Sequence, residues 1–190
     1  MDLAPLITTF GIIALAELGD KTQLAAMTLS AKYRAVSVFA GAMLAMALVD
    51  GLSILVGSAL ADFFSAQIMG LVGAAIFIGF GIRNLISKED EEVKVRSGKS
   101  AVLTSFSMVA MMELGDKTQF SVIALAAQYN APVLVFLGMM LAFALLMGMG
   151  VIVGYKLVKF VPKRYLKIFT GALFIIFGLV FLMGALGTSF

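Results

Sequence analysis

The sequence predicts an all-α membrane protein, six transmembrane helices built as two inverted-topology repeats of three. Three observations carry the prediction. The 190 residues are 62% hydrophobic and 13% charged, whereas a soluble domain holds about a quarter charged residues. The heptapeptide ELGDKTQ stands at residues 17–23 and returns at 113–119. Apart from the lysines inside these heptapeptides, the basic residues gather on one side of the six-helix arrangement.

Each helix follows from length and hydropathy. A bilayer core of roughly 30 Å takes about 20 apolar residues per crossing, and six stretches supply them: 3–29, 35–61, 65–86, 101–128, 133–158 and 165–187. The first has no basic residue ahead of Lys21. It therefore lacks the positive segment of a signal peptide and reads as a retained helix. The breaks are AKYR (31–34), ADFF (61–64), SKEDEEVKVRSGKS (87–100), QYNAP (128–132) and KFVPKR (159–164). The organisation is a first three-helix repeat (1–86), a cytoplasmic linker (87–100) and a second, inverted three-helix repeat (101–190). The linker mixes charge signs and lacks the spaced acids and central glycine of a calcium loop.

The halves align with one another. Thr8, Phe10, Leu29, Ala31 and Tyr33 recur 96 positions later as Thr104, Phe106, Leu125, Ala127 and Tyr129. One inserted residue then makes the offset 97, at which Phe39, Gly41, Leu44 and Gly57 match Phe136, Gly138, Leu141 and Gly154. AIFIGFGI (75–82) matches ALFIIFGL (172–179) in the same register.

An odd number of helices per repeat sends the second repeat into the membrane from the opposite side. Loops 1–2, 3–4 and 5–6 and their flanks then share one face, with Lys32, Arg34, Arg83, Lys88, Lys94, Arg96, Lys99, Lys156, Lys159, Lys163, Arg164 and Lys167. The other face has none. By the positive-inside rule the basic face is cytoplasmic and both termini lie outside. Such a duplication, with polar breaks at matching places, points to a secondary transporter whose site lies near the midplane between the repeats. It does not point to an enzyme. The surroundings are the lipid bilayer, and no nucleic-acid partner is indicated.

With no cysteine and no histidine in the chain, disulfides, thiol chemistry and most zinc and copper sites are excluded. A metal here has to be held by oxygen. The two heptapeptides supply it: Glu17, Asp20 and Lys21 within one helical turn, and Glu113, Asp116 and Lys117 in the second copy. A charge at the membrane centre costs several kcal/mol by insertion scales, about 2.5–3.5 per residue. From Lys21 to the cytoplasmic end near Ala31 is about 15 Å of helix, beyond the reach of a lysine stem. The charges therefore face the bundle interior or a water-filled cavity.

Intrahelical ion pairs, Glu17–Lys21 and Glu113–Lys117, are the structural alternative. They leave Asp20 and Asp116 without a base, and they ignore Thr22, Gln23, Thr118 and Gln119 crowded into the same turns. Gly19 and Gly115 loosen each helix there, where an unwound turn offers carbonyl oxygens. Four carboxylates against two lysines leave two excess negative charges when all are ionised, which one divalent cation or two protons would neutralise. Such hard oxygen ligands suit Ca²⁺, Mn²⁺ or Mg²⁺. Motif one runs from the midplane toward the cytoplasm and motif two toward the outside, so each repeat can present its acids to a different compartment.

Asp50 breaks the symmetry, because the second repeat has Met147 there. It reads either as a proton-coupling group or extra ligand, or as a water-facing acid near the outer mouth. The thirteen methionines, scattered through apolar helices, read as packing.

The doubled Glu-X-Gly-Asp-Lys/Arg-Thr/Ser pattern, in the first and fourth of six helices, resembles the signature of the Gdt family of cation/proton exchangers. The resemblance covers essentially the full chain and both copies fit without departure. It implies that Glu17, Asp20, Glu113 and Asp116 bind the cation as metal ligands, assisted by Thr22, Thr118, Gln23 and Gln119. By the charge count Lys21 and Lys117 balance charge, either pairing with the acids in the empty state and yielding to the ion or sitting apart in a cavity. The resemblance also implies a transported divalent cation, Mn²⁺ outward or Ca²⁺, in exchange for protons, with no permanent cofactor. A chain without a long targeting segment ahead of helix one is expected in a bacterial cytoplasmic (inner) membrane. The rival is a small-solute exporter of amino-acid type and similar build, whose substrate would not be displaced by Ca²⁺ or Mn²⁺.

Overall fold

The computed structural model describes residues 2–86, 100–153 and 163–187, with backbone alone for 153 and 163–167. Every regular element among them is an α-helix: α1 (Ala4–Glu17), α2 (Lys21–Ser30), α3 (Ala35–Phe63), α4 (Ala66–Ile86), α5 (Ala101–Glu113), α6 (Lys117–Tyr129), α7 (Pro132–Val153) and α8 (Lys163–Ala185). The linker 87–99 and residues 154–162, with the lysines they contain, lie outside the described residues.

The continuous first and fourth helices expected from hydropathy are each two helices. The reason is local. Leu18 takes φ −62°, ψ 112° and Gly19 takes φ 74°, while the Asp20 N–H donates to the Glu17 carbonyl at 3.0 Å. That is a type II turn, which needs a left-handed residue at its third position. The second copy repeats it: Leu114 at φ −62°, ψ 114°, Gly115 at φ 77°, and Asp116 N–H donating to Glu113 O at 3.1 Å. Glycine is the residue that takes this conformation without steric cost. The motif's first four letters thus encode a turn within the apolar run.

α3, α4, α7 over Pro132–Ile152 and α8 over Ile168–Ala185 are long and apolar enough to cross a membrane, and α1 and α5 are shorter apolar helices. In α3 the inward face carries Gly41, Ala42, Ala45, Val49, Asp50, Ser53 and Gly57, all but sealed from solvent, while Leu44, Leu48, Leu52 and Leu55 form an outward ridge. Small and polar inside with leucine outside is the pattern of a helix that meets lipid on one side and other helices on the other.

The halves pack through matched contacts. α1 lies on α7 and α5 on α3, α3 meets α7, and α4 pairs with α8. A β-carbon at Gly41 would collide with Ser105 and the Val102 carbonyl; at Gly138 it would collide with the Leu6 carbonyl and crowd Thr9. These are equivalent neighbours at the sequence offset, so one glycine contact is used twice. The same holds between α4 and α8, where Gly81 faces Ile175 and Gly178 faces Ile78. Phe77 and its counterpart Phe174 touch each other, ring centroids 5.7 Å apart, where the two halves meet.

Candidate functional site

The turns end α1 and α5 at a glutamate and begin α2 and α6 at an aspartate. Asp20 and Asp116 are the N-cap residues of α2 and α6, yet neither side chain caps its own helix. Both carboxylates turn instead to the lysines, beside helix N-termini whose partial positive charge favours anions.

The capping work falls to the glutamines at the third helical position. Gln23 Oε1 accepts from Gly19 N–H at 2.8 Å, and Gln119 Oε1 accepts from Gly115 N–H at 2.7 Å. This resembles a capping box reaching one residue further back. The geometry therefore gives the two amides, expected as cation ligands, a turn-bracing job. Each amide nitrogen also anchors the turn to the opposite repeat. Gln23 Nε2 donates to the Leu146 carbonyl at 2.9 Å, and Gln119 Nε2 donates to Ser53 Oγ at 2.9 Å. Ser53 passes the bond on, its hydroxyl donating to the Val49 carbonyl at 2.8 Å. The counterpart of Ser53 is Gly150, against which Gln23 packs closely. Ser53 was not singled out in the sequence; a serine three residues past Asp50 on a membrane helix, opposite a glycine in the second repeat, was the available signal.

Glu17 is fully buried at the centre of the site. Thr118 donates its hydroxyl to Glu17 Oε1 across the repeat interface. The Lys117 ammonium lies 2.7 Å from Asp20 Oδ1, 3.3 Å from Glu17 Oε1 and 3.4 Å from Asp116 Oδ2. Lys21 reaches Asp116 Oδ1 at 3.2 Å. The ion pairs therefore run between the repeats or to Asp116, and the intrahelical pairs Glu17–Lys21 and Glu113–Lys117 do not form among the described residues. The turn explains this: a helix interrupted between Glu and Lys no longer stacks positions i and i+4.

Glu17, Asp20 and Asp116 each offer a carboxylate oxygen, and these atoms lie within 4.8 Å of one another. An ion held at about 2.3–2.6 Å from each ligand needs oxygens no more than about 5 Å apart. Glu17 Oε2 and Asp20 Oδ2 are also buried with no hydrogen-bond partner among the described residues.

Glu113, the fourth motif acid, stands outside this trio. It is fully buried and neither oxygen has a hydrogen bond of ordinary geometry; Thr22 lies close enough for an electrostatic contact, but its hydroxyl is likewise unsatisfied. Asp50 is fully buried, with both oxygens unpartnered, and interacts electrostatically with Glu17, Glu113 and Asp116. Of the two readings of Asp50, a water-facing acid near the outer mouth does not fit this burial on the inward face of α3.

A helical membrane bundle with two interrupted helices, whose half-helix ends bring carboxylates from both halves to one point, defines a cation-handling membrane protein. The family model described as "Divalent cation/proton antiporter GDT1" matches residues 5–92 and again 101–189, and the chain belongs to that family, a family of transporters. A protein of Vibrio cholerae named "Putative manganese exporter" is 32% identical over 179 residues, covering 93% of this chain and 88% of the other. The "Divalent cation/proton antiporter GDT1" of Saccharomyces cerevisiae is 38% identical over 104 residues, which cover 53% of this chain and only 37% of the yeast protein. "Protein PAM71, chloroplastic" of Arabidopsis thaliana is 26% identical over 204 residues, 91% of this chain and 55% of the plant protein. No solved structure matches the chain.

Proposed function

We propose that this protein carries a divalent cation across the membrane in exchange for protons, with Mn²⁺ outward as the physiological direction and Ca²⁺ as the second candidate cargo. The observation that carries the reading is the convergence of Glu17, Asp20 and Asp116, drawn from both repeats, to within 4.8 Å. Family membership supports the reaction class, and the Vibrio cholerae relative's printed name favours manganese.

Glu17, Asp20 and Asp116 form the first ligand set, with Thr118 orienting Glu17. Glu113 of the second repeat and Thr22 of the first are the counterpart pair of Glu17 and Thr118. Protons and the cation compete for the same buried carboxylates, and that competition couples their movements. Asp50 adds an acid on one repeat only and is assigned to the proton side of the exchange. The clustering of basic residues supports six crossings in two inverted repeats with both termini outside, and the likeness to the Vibrio cholerae protein favours a bacterial inner membrane.

The test is metal-driven proton movement in proteoliposomes containing the full chain, with Mn²⁺, Ca²⁺ and Mg²⁺ offered separately. Proton flux with one of these ions, lost in Glu17→Gln/Glu113→Gln, is the expected result. Flux that survives the double substitution would return the motif acids to a structural role. Absence of flux with every ion would favour the small-solute exporter.

A further inference from the structure

The two heptapeptides are identical, but their lysines are not equivalent. Lys117 contacts Asp20, Glu17 and Asp116 at 2.7–3.4 Å with a side chain 15% exposed. Lys21 contacts Asp116 alone at 3.2 Å with a side chain 37% exposed. The three carboxylates around Lys117 are the same three whose oxygens could enclose a metal ion.

We infer that Lys117 is a tethered competitor for the transported cation: its ammonium fills the carboxylate site when no ion is bound, and the ion enters by displacing it. This rests on the cation-exchange reading of the site. One fully buried and two largely buried carboxylates left bare would carry a desolvation cost, which an ammonium among them offsets. A lysine suits a displaceable occupant. It is a compact charge on a flexible stem, without the two-pronged fork that locks arginine to a carboxylate. Only its Asp20 contact has the length of a strong charge-assisted hydrogen bond; the other two are looser.

The location gives the competition a purpose. Lys117 belongs to the second repeat, and two of its three partners belong to the first. The ammonium therefore ties the repeats together in the empty carrier. An exchanger that changed its facing while empty would let cation and proton gradients run down separately. With Lys117 seated, the empty site is both neutralised and cross-linked until the ion takes over the same ligands.

The experiment is calorimetric titration of purified full-length protein with Mn²⁺ and with Ca²⁺ at fixed pH. Wild type, Lys117→Met, Lys21→Met and Lys117→Arg are compared, and folding of each is checked by gel filtration. Lys117→Met is expected to lower the Kd at least tenfold, and Lys21→Met to change it less than threefold. Lys117→Arg is expected to raise it at least threefold, because the guanidinium holds the carboxylates better.

Binding in Lys117→Met that equals or falls below wild type would overturn the inference. So would an equal gain in Lys21→Met, which would mark a general field effect. Should Lys117→Met not fold, Lys117→Arg decides, and wild-type affinity there would overturn it. A wild type that binds neither ion fails the exchange reading itself, before the question of Lys117 arises.

Discussion

The Thr118 hydroxyl of the second motif donates to the buried Glu17 carboxylate of the first. Its counterpart Thr22 stands beside Glu113 without a hydrogen bond of ordinary geometry. Two copies of one heptapeptide are therefore held in different states, and the repeat interface decides which acid is braced.

That difference predicts unequal costs for one substitution. Thr118→Val removes a hydrogen bond to a charged group and should destabilise the protein by about 1.5–3 kcal/mol. Thr22→Val removes a buried hydroxyl that makes no hydrogen bond of ordinary geometry with the neighbouring Glu113, so its cost should be clearly smaller. Thermal unfolding of both variants in one detergent checks the pair, and equal losses would contradict the asymmetry.

Gly115 tests the turn by backbone alone. A β-carbon there meets nothing within 4 Å, yet φ is +77°. Gly115→Ala should cost about 1–2 kcal/mol through left-handed strain, and Gly115→Asn less, since asparagine tolerates that region. Unfolding midpoints in the order Gly, Asn, Ala are expected. An alanine variant as stable as wild type would mean that the turn relaxes.

The glutamine brace gives a third prediction. Gln119→Leu loses the bonds to Gly115 N–H and Ser53, which at about 0.5–1.5 kcal/mol each makes a loss of about 1–3 kcal/mol. Ser53→Ala loses the bond from Gln119 and its own bond to the Val49 carbonyl, and should cost about as much. In a double-mutant cycle the two should couple, because they share a bond. Additive effects would show that the bridge carries no energy.

Asp50 is tested by function. Asp50→Asn keeps the shape of a fully buried side chain while removing its capacity to ionise. Cation binding should stay within a few-fold of wild type, while proton movement driven by the cation falls at least tenfold. Loss of cation binding in proportion to flux would make Asp50 a ligand instead.

The duplication, the apolar lengths and the two acid-bearing turns were legible in the chain because they are local or repeat at a fixed offset. Gly19 and Gly115 marked where the helices loosen. The full break needed the backbone, since a type II turn inside an apolar run has no hydropathy signal of its own. The intrahelical pairs Glu17–Lys21 and Glu113–Lys117, weighed as the structural alternative, do not form for the same reason: the turn interrupts the helix between i and i+4. Gln23 and Gln119 showed only as polar side chains near the acids, and their bracing of Gly19 and Gly115 depends on that turn.

By itself the sequence determined that carboxylates, threonines and lysines would meet within a membrane bundle, because such charges in apolar helices have to face inward. The tertiary structure decided which acid joins which base. Glu17, Asp20 and Asp116 gather around Lys117 because the turn after α1 meets the start of α6, and Asp50, buried on the inward face of α3, lies in electrostatic range of Glu17 and Asp116. The Lys117 contacts to Glu17 and Asp20, and the Thr118–Glu17 hydrogen bond beside them, join positions about a hundred residues apart in the chain. They depend on which glycines let which helices approach, a property of the packed whole and not of any one stretch of chain.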